Sequence, residues 1–264
     1  MLPKNNNKTG IKKATAFIGG ARKRHTYETN ENFLERVQSI GNVEYEIVGL
    51  NNYNLGVCKG CKLCLDKGEE LCNLKDDRNI LLEKIKSSDG VLFASPNYSF
   101  HVSALMKQFL DRLGFFFHRP QFFGKTFTGI VAQGVYGGNK IVKYFNFIGK
   151  ALGFNVVKGI CVTNLESVSE KAIIKNEKMI EKLAKRYWRQ LIKNELPQPS
   201  LFELFIFRMS RSSMKMKLDE NFKDFNYYTE KGWFSSDFYY PIELSSVKKI
   251  RKIFRFDGTK NGLI

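Results

Sequence analysis

Lys13–Gly20, KATAFIGG, runs into Ala21-Arg22-Lys23-Arg24-His25-Thr26-Tyr27 and then into Thr29–Ile40, which carries Phe33, Val37 and Ile40 at helical spacing. The first stretch reads as a short buried strand ending in two glycines, and the last as an amphipathic helix. The same alternation repeats outward along the chain. Val43–Val48, Gly90–Ala94 (GVLFA), Thr126–Ala132 (TFTGIVA) and Asn155–Val162 read as further strands. Asp77–Ser87, with Asp77 as its expected cap, Ser103–Gly114, Gly138–Leu152 and Ser169–Asn194 read as helices. Parallel strands need crossover connections, so five strands alternating with helices predict a doubly wound α/β fold with both sheet faces covered. Sheets of this class bind ligands outside the carboxyl ends of their strands, which directs attention to the loops after the first, third and fourth strands.

The chain has 264 residues, of which 43% are hydrophobic and 26% charged, enough for a sizeable core and far from the composition of a disordered chain. No apolar run reaches membrane-spanning length, and Met1–Lys8 lacks the apolar segment of a secretory signal, so a cytoplasmic protein is expected. The net charge of +17 predicts a surface that attracts anions, whether phosphorylated cofactors, nucleic acid or acidic lipid. Beyond Pro197 and Pro199 the alternation stops, and residues 201–264 are aromatic and basic. There Leu201, Leu204, Phe205 and Met209 form an apolar helical face, with Arg208, Arg211 and Lys215 supplying charge. This face suits packing on the domain or on a second subunit, or a helix lying on a membrane surface.

Three loops carry chemistry. After the first strand, Gly20 allows close backbone approach, and Arg22, Lys23, Arg24 and Thr26 offer donors beside a helix start, as a monoester phosphate requires. The segment is neither G-x-G-x-x-G nor G-x-x-x-x-G-K-[ST]. After the third strand, Pro96, Asn97 and Tyr98 suit a loop that offers main-chain groups and a ring face to a planar heterocycle. After the fourth, Gln133, Gly134, Gly137 and Gly138 form a second glycine-bearing loop able to approach the same ring. His101 and His118 stand near these elements, either as ligand or nicotinamide contacts or as surface and packing residues.

Four of the five cysteines, Cys58, Cys61, Cys64 and Cys72, lie in one short segment spaced x2, x2 and x7, whereas Cys161 lies apart, where a small buried hydrophobe is expected. Clustered thiols in a chain without a secretory signal point to ligands or redox groups rather than a disulfide framework. A four-iron cluster, a thiol or disulfide redox role, a structural loop and zinc all remain open at this point.

The basic loop GGARKRHTY, the S-P-N-Y segment with its downstream K-x-F-x-D-R and the glycine loop after the fourth strand resemble the flavodoxin-like NADPH-dependent FMN reductases. The cysteine spacing resembles their iron-sulfur flavoprotein branch, and also relatives whose similar cysteine stretch holds no cluster. The resemblance covers residues 12–194 and implies a flavodoxin-like five-stranded parallel sheet in the order 2-1-3-4-5. Residues 1–195 would form the FMN-binding domain, and 196–264 a mainly helical, aromatic-rich extension. It further implies FMN held by Gly20, Arg22, His25, Thr26 and Tyr27 at its phosphate and by Pro96, Asn97 and Tyr98 at the isoalloxazine. Gln133, Gly134, Gly137 and Gly138 would close over the ring, and a 4Fe-4S cluster would sit on Cys58, Cys61, Cys64 and Cys72. Gly20-Ala21 and His25 stand where many members carry Ser-Pro and Asn.

The implied activity is hydride transfer from NAD(P)H to FMN and electron delivery to an acceptor, small molecule or acidic electron-transfer protein. The implied assembly is a homodimer or tetramer, with Trp233, Phe234, Tyr239 and Tyr240 of the extension covering the flavin or an interface. The alternative is a non-catalytic basic protein binding nucleic acid or a membrane surface on an α/β scaffold. No nucleic-acid-binding signature accompanies the charge.

Overall fold

A computed structural model describes residues 10–164, 169–193 and 195–243. Residues 244–264 and Asn194, which the expected extension and last helix included, lie outside them. In chain order the elements are β1 (Lys12–Ile18), α1 (His25–Ile40), β2 (Val43–Gly49), α2 (Leu63–Asp66), α3 (Arg78–Ser87), β3 (Gly90–Pro96) and α4 (Ala104–Arg112). There follow β4 (Thr126–Gln133), α5 (Gly138–Ala151), β5 (Asn155–Val156), β6 (Ile160–Thr163), α6 (Glu170–Leu191), α7 (Leu201–Lys217) and α8 (Lys223–Glu230). These residues group into two compact units. One comprises 10–58, 74–116 and 120–196, and the other 59–73, 117–119 and 197–243.

The first unit is a parallel sheet in the order β2-β1-β3-β4, with β5 and β6 both paired along the far edge of β4. This is the flavodoxin-like doubly wound order. Strand alternation sorts its two faces. Ala14, Ala16, Leu92, Ile130 and Ala132 pack against Phe33, Leu34 and Val37 of α1 and Leu183, Ala184 and Tyr187 of α6. On the other face Phe17 stacks on Phe109 of α4 at 5.2 Å, while Phe93 meets Phe127 edge-on at 5.0 Å and approaches Phe145 of α5.

Several boundaries differ from the sequence reading. The expected strand Lys13–Gly20 ends at Ile18, so both glycines belong to the loop. Helix α1 begins at His25 rather than Thr29, which brings its N-terminus against the basic loop. Asp77 stands at the start of α3 without capping it; its carboxylate accepts the Asn54 N–H instead, at 2.7 Å. The expected fifth strand is broken in two, because Gly159 presses on the backbone of Gly129 so closely that a Cβ would lie 2.0 Å from the Gly129 carbonyl oxygen. Around the break, Thr128 Oγ1 donates to the Val157 carbonyl and Gly159 N–H donates to Asn146 Oδ1, so the backbone groups that leave the ladder keep partners.

The second unit contains α2, α7, α8 and an aromatic cluster. Trp233 packs edge-on against Tyr228 and Tyr239 at 5.0 and 4.7 Å, and Phe207 of α7 meets Tyr239 at 4.6 Å. Arg119, 1% exposed, donates to Asp224 Oδ1 at 2.6 Å, to Glu69 Oε2 at 2.6 Å and to the Cys64 carbonyl at 3.0 Å. A buried guanidinium thereby ties the cysteine segment to α8. His118 Nδ1 bonds the other Asp224 oxygen at 2.8 Å. In α7 the expected apolar face divides: Leu204 turns inward with Phe207, whereas Leu201, Phe205 and Met209 are exposed.

Candidate functional site

Three loops at the carboxyl ends of β1, β3 and β4 surround a cleft of about 300 Å³ in the first unit. Their placement rests on a small hydrogen-bonded frame. Gly19 N–H donates to the Ala94 carbonyl at 2.8 Å, and Ser103 Oγ donates to the Gly19 carbonyl at 2.6 Å. The same Ser103 hydroxyl accepts Met106 N–H at the start of α4, and Ser103 N–H donates to Ser95 Oγ. Gly19 sits so close to Ser103 that a Cβ there would fall 2.6 Å from its hydroxyl oxygen. Glycine is therefore required by the close approach of loop and helix.

The phosphate side is built from the loop after β1 and the first turn of α1. Gly20, Ala21, Arg22, Arg24, His25 and Thr26 line the cleft. Thr26 is buried, and Asn30 Nδ2 donates to its carbonyl at 2.5 Å, which pins the helix start. The first amides of a helix have no intrahelical acceptor and carry the positive end of its dipole, so this corner suits an anion.

The ring side comes from the other two loops. Pro96, Asn97 and Tyr98 face Ala132, Gln133 and Gly134 across the cleft. Asn97 N–H donates to the Ala132 carbonyl at 2.8 Å and its Nδ2 to the Tyr136 carbonyl at 2.9 Å, while its Oδ1 is buried and has no partner. A buried amide oxygen without a donor costs on the order of 1–3 kcal/mol, and a ligand N–H would repay that cost. Tyr98 and His101 exchange both backbone hydrogen bonds around Ser99 (φ 49°) and Phe100 (φ 62°). Left-handed backbone at two non-glycine residues is strain concentrated at the cleft rim, and it exposes the Tyr98 and Phe100 rings.

Nine of the twelve residues expected at the cofactor line the cleft: Gly20, Arg22, His25, Thr26, Pro96, Asn97, Tyr98, Gln133 and Gly134. Tyr27, Gly137 and Gly138 do not. Tyr27 lies under Lys23 in a cation–π contact at 5.4 Å. Gly137 takes φ 94° at the start of α5, where a Cβ would come within 2.8 Å of the Phe100 ring. Gly138 N–H donates to Gln133 Oε1 at 2.7 Å, and a Cβ at Gly138 would strike Cys161 Sγ at 2.4 Å. These two glycines shape the third loop instead of lining the cleft. Asn164, absent from the sequence reading, also lines it, held by Thr29 Oγ1 and Asn176. Its position just past the last strand was the available signal. His101 packs on Tyr144 at 5.2 Å, and His118 belongs to the second unit.

A basic helix-start corner, an orphaned amide oxygen and a glycine-bearing loop opposite it match the phosphate and heterocycle of FMN. A family model for NADPH-dependent FMN reductases matches residues 13–165, the stretch that builds this cleft. The chain belongs to the NADPH-dependent FMN reductase family. An iron-sulfur flavoprotein of Archaeoglobus fulgidus is 34% identical over 161 residues, covering 56% of this chain and 70% of that protein, so this reductase belongs to the iron-sulfur flavoprotein branch. Among solved structures, RosB with a bound 8-demethyl-8-formylriboflavin-5′-phosphate intermediate aligns over 96% of this chain and 98% of its own at TM-score 0.56 and 13% identity. An apo NADH:FMN oxidoreductase aligns over 67% and 90% at TM-score 0.50 and 18% identity. Both are similar in fold. As a member of this reductase family the protein is a flavin oxidoreductase.

The cysteines of this reductase stand differently. Cys58 belongs to the first unit, and Cys61, Cys64 and Cys72 to the second. Among the described residues no three His, Cys, Asp or Glu side chains gather into a metal-holding group. The donor chemistry of the four thiols suits iron. Cys161 is half-buried in β6, and burial pushes its thiol up to about 11, which keeps it protonated and unreactive.

Proposed function

We propose that the cleft binds FMN and serves an NAD(P)H-dependent oxidoreductase that passes electrons to a small-molecule or protein acceptor. The observation that carries this reading is the unpartnered Asn97 Oδ1 inside a cleft whose opposite end is a cationic helix start. When bound, FMN supplies hydride acceptance from NAD(P)H and onward electron delivery. Arg22, Arg24 and the Thr26 hydroxyl hold the phosphate together with the first amides of α1. Asn97 Oδ1 accepts from a ring N–H and orients the heterocycle, while Pro96 and Tyr98 flank it. Gln133 and Gly134 would close over the ring from the third loop. The +17 surface favours an anionic nucleotide, and an acidic electron-transfer protein as acceptor. We assign Cys58, Cys61, Cys64 and Cys72 to a 4Fe-4S cluster on the strength of their thiol chemistry and spacing.

The test is anaerobic purification followed by an absorption spectrum, released-flavin analysis and iron and acid-labile sulfide determination, then NAD(P)H oxidation with varied acceptors. Flavin near one equivalent and NAD(P)H turnover are expected. Protein that stays colourless after incubation with FMN would overturn the flavin assignment, and flavin without iron would remove the cluster alone.

A further inference from the structure

Helix α7 shows large apolar side chains on two opposite faces. Leu204 and Phe207 are buried on the inner face, where Phe207 packs on Phe238 and Tyr239. At about 100° per residue, Phe205, Met216, Met209 and Phe202 share a single arc about 60° wide on the opposite side. They are 52%, 65%, 55% and 67% exposed, too much contiguous apolar surface for a helix meant to face water. Leu201 and Ile206, 40% and 37% exposed, widen this stripe to about 140°, and Arg208, with Lys215 behind it, borders one edge of the widened stripe and Lys217 the other.

The helix's one carboxylate, Glu203, is occupied in a capping box with Ser200 at the N-terminus, which leaves the rest of the exposed face without negative charge. An apolar stripe with cations along both edges is the pattern of a helix lying in a lipid interface, rings among the acyl chains and amines at the phosphates. We propose that α7 docks this protein on anionic membrane surfaces. Charge selects this occupant over a second copy: pairing two such helices would set like-charged edges together on chains that each carry +17, whereas an anionic bilayer neutralises them. No helix among the described residues is long and apolar enough to cross a membrane, so α7 lies on the surface and does not span it.

The experiment uses the full chain with its flavin and vesicles of equal phosphatidylglycerol and phosphatidylcholine, against phosphatidylcholine alone, in a sedimentation assay at low and high salt. The wild type should pellet with the anionic vesicles, less so at high salt, and stay in solution with the neutral ones. Phe202→Ser/Phe205→Ser/Met209→Ser should lower anionic partitioning by at least about tenfold with flavin content and melting temperature unchanged. Phe202→Ser alone, a single exposed change, provides a second variant should the triple one fold poorly, and should weaken binding severalfold. Failure to bind anionic vesicles, or equal binding to neutral vesicles, would overturn the proposal. So would variants that bind as well as wild type. Sedimentation velocity showing a wild-type dimer that the same substitutions dissociate, without vesicle binding, would assign the face to a second copy instead.

Discussion

Removing the Asp76 carboxylate should unfold this protein more readily than any surface change, and the size of the effect follows from its surroundings. Asp76 and Arg112 are each 4% exposed at the side chain and meet through two bonds of 3.0 Å, one from Nε and one from Nη2. The carboxylate also accepts Gly56 N–H at 2.9 Å and Arg78 N–H at 3.3 Å, so it holds the chain as it leaves β2 for Cys58. Asp76→Ala takes from a buried guanidinium the carboxylate it faces, at a cost of about 3–5 kcal/mol, and removes the acceptor of two amides at about 1 kcal/mol each, although water entering the gap offsets part of the sum. A net loss of about 4 kcal/mol is expected out of a total stability on the order of 5–15 kcal/mol.

Arg112→Met should cost a similar amount, and the double variant less than the two together, because the double change removes both members of the buried ion pair. Urea unfolding at pH 7, with the flavin either saturating or removed in every sample, reads these values. The pH dependence has a definite sign. Burial pushes the Asp76 carboxyl up, but the Arg112 hydrogen bond, the Gly56 and Arg78 amides and the Arg112 charge outweigh it, and the pKa lies below its ordinary value. Its stabilisation is therefore complete above the unfolded carboxyl's range and is lost as pH falls through that range toward the folded pKa. Losses below about 1 kcal/mol in each single variant, or simple additivity in the double, would refute the reasoning.

Asn97→Ala should raise the FMN dissociation constant about two- to twelvefold, the worth of one hydrogen bond, as read by flavin fluorescence titration; an unchanged constant would remove Asn97 Oδ1 from the ligand contacts. Gly159→Ala should lower stability by at least about 2 kcal/mol in thermal melts, because the new methyl meets the immovable Gly129 carbonyl. Cys161 should resist iodoacetamide at pH 8 while Cys58 and Cys61, both exposed, label readily in cluster-free protein. Peptide mapping that finds Cys161 labelled as fast as Cys58 would contradict the burial argument.

The sequence by itself determined the class of sheet and the location of the site. KATAFIGG, GVLFA and TFTGIVA are apolar runs of strand length between helical periodicities, and that local information forces crossovers and a parallel sheet. The basic loop and S-P-N-Y were likewise legible, because positive charge, proline and glycine act within a few residues of themselves. Tertiary structure decided what depends on neighbours distant in sequence. Asp77 reads as a cap from its position, yet Asn54, which packs beside it, takes its carboxylate. Asn155–Val162 reads as one strand, yet it breaks where Gly159 abuts Gly129. Gly137 and Gly138 read as cofactor contacts, yet their missing side chains make room for Phe100, Gln133 and Cys161. The apolar residues of α7 read as one face, yet only the aromatic cluster at 228–239 determines which of them are covered. Periodicity records which residues avoid water, whereas the identity of the group that covers or bonds each one is set only when remote segments meet.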